Sequence, residues 1–193
     1  MSGRRPKILI IAGDAVEALE IFYPYFRLRE EGWDVDVAAP TKKPVRTVVH
    51  DFEDWETYTE KPGYRFLWVS KSLSEIDPSQ YDGLVIPGGR MPEYVRVVAE
   101  NHLKRILDHF FTHKKPVAVI CHGPQILAAF GYVRNRRLTS YIAVKPEVVN
   151  NGGVWVDEEV VVDDNLVSSR AWPDNPAWMR EFIKLVKKYV GLA

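Results

Sequence analysis

Val117-Ala118-Val119-Ile120-Cys121-His122-Gly123-Pro124-Gln125-Ile126-Leu127 decides how this chain folds. Four apolar, mostly β-branched residues have the pattern of a strand buried on both faces. Gly123 and Pro124 break it at once, and Gln125 to Phe130 reads as the first turns of a helix. Pro is favoured at a helix's first position, where its missing N–H would be unpaired anyway. Cys121, the single cysteine in 193 residues, therefore stands where a strand turns sharply into a helix. A nucleophile placed there is lifted above the sheet edge on a strained turn. The amides and partial positive charge of the helix start are expected to lower its pKa. A lone cysteine is more often an inert core residue. The turn position and the adjacent His122 favour the reactive reading.

Outward from that stretch, the chain has the pattern of one α/β domain. Lys7 to Ala12 reads as a first strand and Trp33 to Ala39 as a second. Between them, Val16 to Glu31 carries Leu19, Phe22, Tyr23, Phe26 and Leu28 at helical spacing, with a kink or restart expected at Pro24. A strand–helix–strand unit of this size implies a parallel sheet with right-handed crossovers. Tyr81 to Ile86 is a further strand ended by Pro87-Gly88-Gly89-Arg90. Pro92 to Val98 and Asn101 to His113 are helical. Lys145 to Arg170 reads as short strands around turns, and Ala177 to Tyr189 as a closing amphipathic helix. Pro40 to about Trp68 is too long for an ordinary connection and too aromatic for disorder. A pair of short strands with an excursion over a site or partner is expected, as an insertion at about 45–68. A surface elaboration with its own small apolar cluster is the alternative.

Composition bounds the function classes. Lys+Arg and Asp+Glu balance at 26 each, so no global field favours nucleic acid or anionic membranes. One cysteine excludes an internal disulfide and fits a reducing, cytoplasmic setting. Arg4, Arg5 and Lys7 precede an apolar run too short for a signal peptide, and Asp14 interrupts it. No stretch approaches transmembrane length. His102, His109 and His113 lack a matching acid or thiol cluster, so no metal site and no cofactor are expected.

In a doubly wound sheet, active groups gather outside the carboxyl ends of the strands. Three loops would meet there. One carries Cys121. The Gly88-Gly89 turn could aim backbone N–H groups at a developing oxyanion. Glu17 opens the first helix, where burial beside a thiolate would raise its pKa and let it hold or shuttle a proton. From composition alone, a helix-start acid favoured by the macrodipole is the simpler account of Glu17.

Ala118-Val119-Ile120-Cys121-His122-Gly123-Pro124-Gln125 resembles the nucleophile elbow of the DJ-1/PfpI superfamily. Val85-Ile86-Pro87-Gly88-Gly89-Arg90 with Pro92-Glu93 resembles its glycine turn. Val16-Glu17-Ala18-Leu19-Glu20 before Tyr23-Pro24-Tyr25 is similar to its acidic first-helix motif. Thr139-Ser140-Tyr141, Trp155-Val156-Asp157 and Trp178 to Phe182 are similar to segments of the PfpI branch. The resemblance implies a flavodoxin-like doubly wound sandwich with a mostly parallel central sheet. It implies Cys121 as nucleophile, Glu17 as its carboxyl partner and the Gly88/Gly89 amides as oxyanion hole, with Arg90 beside them. It also implies His122 as a base oriented by Glu93 of a neighbouring subunit, and hence a dimer or hexamer. His50-Asp51-Phe52-Glu53 with Tyr58 to Gly63 is similar to an insertion in plant DJ-1-like glyoxalases, which makes His50 a candidate pocket residue. Tyr141 is followed by Ile142 where many PfpI-like chains have Pro, so Tyr141 is a further, less firmly matched, substrate-binding candidate.

The implied activity is a cofactor-independent glyoxalase acting on a small 2-oxoaldehyde, with deglycation as the same chemistry on an amine-bound substrate. A cysteine peptidase using Cys121, His122 and Glu93 is the runner-up. A redox-sensing stress protein would use the same thiol. A glutamine amidotransferase is set aside, because its downstream His-Pro-Glu is here Lys145-Pro146-Glu147.

Overall fold

The computed structural model describes residues 4–53 and 57–192, and Asp54 and Trp55 of the aromatic stretch lie outside them. In its first half the strands are β1 (Lys7–Ile11), β2 (Val16–Glu17), β3 (Asp34–Ala39), β4 (Val45–Glu53), β5 (Thr57–Phe66) and β6 (Lys71–Ser72). In its second half they are β7 (Gly83–Ile86), β8 (Val117–Ile120), β9 (Arg137–Leu138), β10 (Val154–Trp155), β11 (Val160–Asp163) and β12 (Leu166–Ser169). The helices are α1 (Ala18–Glu30), α2 (Met91–Val98), α3 (Glu100–Thr112), α4 (Pro124–Ala129), α5 (Lys145–Asn150) and α6 (Asn175–Val190).

A seven-stranded sheet runs in the order β11-β12-β8-β7-β1-β3-β6. Its pairings are parallel except β11 with β12. Strands β7 and β8 are four-residue apolar runs buried at every position, as parallel strands covered on both faces must be. Helix α1 packs on α6, and α2 packs on α3 and α4. Because β1 lies between β3 and β7, the crossovers leave it in opposite directions. That makes the β1/β7 crevice the topological switch point, where α/β sheets bind ligands.

Stretch 45–66 forms a long antiparallel hairpin, β4 with β5, shifted in register between Arg46 and Val48. Strand β2 joins it in parallel, Glu17 opposite Val48. A two-stranded hairpin is marginal alone, and this third strand ties it to the main body.

Three local readings differ from the structure. The first helix begins at Ala18, because Val16 and Glu17 extend to pair with the hairpin, and it runs through Pro24 without a restart. Its inward stripe is Ala18, Ile21, Tyr25 and Leu28, while Leu19 (45% exposed) and Phe26 (52%) face out. Lys145–Asn150 is helical rather than extended, with Pro146 in its first turn and Val148 buried.

The Gly88-Gly89 turn is laced to the chain before α1. Val16 bridges Gly89, and the amides of Arg90 and Met91 both donate to the Ala15 carbonyl. Gly89 has φ +70°, and a Cβ there would lie 2.4 Å from the Ala15 oxygen and the Glu17 nitrogen. Both walls are backbone, so nothing can give cheaply. Gly89→Ala is expected to destabilise the protein by roughly 1–3 kcal/mol, read as a fall in the urea midpoint. An unchanged midpoint would show that this turn is not constrained.

Candidate active site

Cys121 follows the last residue of β8 and has φ +59°, a left-handed conformation that costs a non-glycine residue about 1–2 kcal/mol. The strain is held by hydrogen bonds on both sides. Cys121 N–H donates to Ser169 O of β12 at 3.2 Å, and Cys121 O accepts from Tyr141 N–H at 3.0 Å. Gly123 cannot carry a side chain, since a Cβ there would lie 2.5 Å from Ile86 O. The outcome is a sulfur turned up at the carboxyl edge of the sheet, in a side chain only 4% exposed.

Two carboxyls face that sulfur. Glu17 caps α1, and its Oε2 accepts from Glu20 N–H at 3.1 Å. Glu20, one turn on, is fully buried and its Oε2 accepts from Gly88 N–H at 2.8 Å. The second oxygen of each carboxyl has no hydrogen-bond partner among the described residues. Two buried acids that close cannot both ionise without large cost. Burial pushes Glu17 up to about 7. Burial and the neighbouring Glu17 charge push Glu20 well above the carboxylate range.

The thiol is also pushed up, by burial and by the Glu20 charge, although the Gly89 and His122 amides that face it act in the opposite sense. Sequence reasoning expected the helix start to lower it. Helix α4 is six residues long and the sulfur is sealed from water, so desolvation outweighs the short dipole. His122 Nδ1 lies 3.2 Å from the sulfur, and the imidazole stacks on Tyr141 with centroids 5.2 Å apart. Burial, with the His50 and Arg90 charges, lowers the His122 pKa to about 4, so it is neutral near pH 7 and able to accept a proton.

The hairpin closes the site from above. His50 is 5% exposed, and its Nε2 pairs with Glu60 Oε2 at 3.1 Å. Its carbonyl accepts from the Trp172 indole N–H at 3.0 Å, and its amide faces Glu17. Glu17, Glu20, His50, Cys121, His122, Tyr141 and Trp172 line one chamber of about 10 Å³.

The structure thus brings Cys121, His122, Glu17, His50 and Tyr141 together. Gly89 presents its amide to the sulfur, while the Gly88 amide is already engaged by Glu20. Arg90 lies at the rim, 3.8 Å from Glu60 and 3.5 Å from Glu93. Glu93 in the same chain is half-buried and pairs with Arg90 rather than His122. Sequence reasoning gave no role to Glu20 or Trp172. Glu20 was legible in principle, since residues three apart on a helix share a face. Trp172 opens a short 3₁₀ turn and carries no local pattern that points to the site.

Residues 6–185 match the model of the DJ-1/PfpI family. The chain belongs to that family. It is 44% identical over 181 residues to a Pyrococcus furiosus protein named deglycase PfpI, covering 94% of this chain and 99% of that one. It is 40% identical to Arabidopsis thaliana protein DJ-1 homolog D, covering 96% of this chain but 49% of the relative, so it spans about half that protein's length. The crystal structure of Drosophila melanogaster DJ-1beta superposes with a TM-score of 0.76 at 24% identity, covering 97% of this chain and 95% of that one. That likeness concerns the fold alone.

The raised Glu17 pKa has a consequence for stability. Between the ordinary 4.5 and about 7 the folded chain holds a proton that the unfolded chain has released. The contribution of this group is therefore full below pH 4.5 and is lost as pH rises through about 7, by roughly 3 kcal/mol. Urea midpoints of wild type should fall relative to Glu17→Gln between about pH 5 and about pH 8. Parallel pH curves for the two proteins would contradict the raised pKa.

Proposed function

We propose that this DJ-1/PfpI protein is a cofactor-independent glyoxalase that converts methylglyoxal or glyoxal to the hydroxy acid, with deglycation of early carbonyl adducts as the same chemistry. The observation that carries the reading is the narrow chamber in which one buried thiol faces two carboxyls of raised pKa and a neutral imidazole. That set suits repeated proton movement on a small carbonyl compound. The deglycase name of the P. furiosus relative supports the same class of substrate.

Sγ of Cys121 adds to the aldehyde carbon, and the thiol proton passes through His122 Nδ1 to the carbonyl oxygen, giving a hemithioacetal. Glu17, ionised, removes the proton from that carbon, while Glu20 gives its proton to the second carbonyl oxygen. The product is an enediol still bonded to sulfur. Glu17 then returns its proton to the second carbon, and the first hydroxyl gives its proton back to Glu20, leaving a thioester. Water cleaves the thioester to lactate or glycolate and restores the thiol. A pKa near operating pH is what a group that both takes and returns a proton requires. The Gly89 amide, facing the sulfur, would stabilise the oxyanion formed in the first and last steps.

The Cys121–His122 contact also suits a cysteine peptidase. Chamber size does not separate the two readings, since about 10 Å³ admits neither a peptide nor a dicarbonyl until a lining side chain moves. The pair of carboxyls with raised pKa, which acyl transfer does not need, favours the glyoxalase. In a partner subunit, Glu93 would be the group that orients His122, which makes self-association part of this proposal.

The deciding assay is lactate formation from methylglyoxal without glutathione. Wild type should turn over, Cys121→Ala should be inactive, and Glu17→Gln should lose ~10²-fold, as for loss of an acid–base group. In wild type, kcat/KM should rise with pH through about 7 as Glu17 ionises, and Glu17→Gln should lack that limb. No lactate above the buffer rate would end the glyoxalase reading.

A further inference from the structure

The roof over Cys121 comes from two places far apart in the chain. Trp172 opens the turn that follows β12, and His50 lies within β4. The Trp172 indole N–H donates to the His50 carbonyl at 3.0 Å, and the Trp172 main-chain N–H faces the Glu20 carboxyl. Glu60 holds the His50 ring. The indole is therefore fixed at its backbone by the acid that touches the thiol, and at its tip by the hairpin.

The chamber beneath has room for about one water molecule. A larger hollow of about 420 Å³ adjoins it, and Tyr141 lines both. Ala171, the residue before Trp172, lines that outer hollow. Even a two-carbon dicarbonyl is larger than one water. Its admission requires a lining side chain to give, and the indole is the bulkiest of them. Swinging it out breaks its bond to His50, so the displacement available is small.

We propose that Trp172 is the specificity-determining residue of this site: its indole, tethered to His50, limits the group carried beside the reacting carbonyl, admitting hydrogen or methyl and rejecting an aryl group. This deepens the glyoxalase reading and rests on it for the substrate class alone. The main-chain N–H that meets Glu20 is kept in Trp172→Ala and Trp172→Phe, so size selection can be changed without removing an acid.

Cys121, the sole cysteine, serves as its own reporter in the intact protein. Its alkylation by iodoacetamide and by 2-iodo-N-phenylacetamide, which differ by one phenyl group, is followed by mass spectrometry. Trp172→Ala removes the ring; Trp172→Phe keeps a smaller ring without the N–H and covers the case in which the alanine variant does not fold. The rate of the bulky reagent relative to the small one should rise ~10-fold or more in Trp172→Ala and by less in Trp172→Phe. The kcat/KM for phenylglyoxal relative to glyoxal should rise in the same order. Equal acceleration of both reagents would mean that the indole only seals the chamber, and would overturn the proposal. So would an unchanged ratio in a folded variant. If the alkylation ratio shifts while no variant forms hydroxy acid, the size filter stands and the glyoxalase reading falls. If hydroxy acid forms and neither ratio moves, the filter alone falls.

Discussion

The hydrogen bond from Gly88 N–H to Glu20 Oε2, 2.8 Å long and closed off from water, is the contact on which the site depends. It joins the first helix to the turn after β7, directly beside Cys121. Its geometry demands glycine. A Cβ at residue 88 would lie 2.6 Å from Cys121 Cβ and 2.7 Å from Glu20 Oε2. The same residue's carbonyl accepts from Glu17 N–H at 3.3 Å, so one residue positions both acids. In water such a bond is worth little, but here the alternative is a buried donor and a buried carboxyl left unpaired, each costing about 1–3 kcal/mol. The turn, the helix start and the elbow are consequently one unit.

That unit is destabilised on purpose in the physical sense that its parts would each be more stable elsewhere. A left-handed Cys121, two unpaired carboxyl oxygens and a thiol held away from water all oppose folding. The surrounding sheet supplies the compensation, because β1, β7 and β8 are buried along their apolar runs and hold the loop ends at fixed spacing. Protonation relieves the rest. With Glu20 neutral, the thiol meets one less negative charge, so a proton gained on the carboxyl favours its loss from sulfur. The three acids titrate as a set.

The sheet, the elbow and the meeting of three loops at one edge were legible because they rest on local signals. Val117 to Ile120 cannot be solvated, and Gly123-Pro124 cannot continue a strand. The switch-point position then follows from the α/β pattern itself. What was not legible depends on orientation within an element. Leu19 and Phe26 share the helical spacing of the buried stripe but point outward, because pairing of Val16 and Glu17 with the hairpin sets the rotation of α1. The same rotation decides that Glu20, rather than Glu17, meets the Gly88 amide. Lys145–Asn150 reads with the short strands that follow it, but Val148 reaches the core from a short helix with Pro146 in its first turn.

The hairpin shows why local and distant information cannot be separated here. Its two strands would not hold together alone, and they are anchored through β2 and through His50. Every anchor at His50 is also a wall of the chamber: its carbonyl meets Trp172, its ring meets Glu60, and its amide faces Glu17. Docking of the hairpin and dehydration of the thiol are thus the same event. A lid made of loops alone would close the site only by becoming ordered. Here the closure is inherited from β pairing at Val16–Thr47 and Glu17–Val48, immediately before the helix that carries both acids. A shift of that pairing by one residue would turn Glu17 away from the sulfur and His50 out of the roof together. Register in a three-stranded sheet therefore sets both the size of the chamber and the proton affinity of the groups inside it.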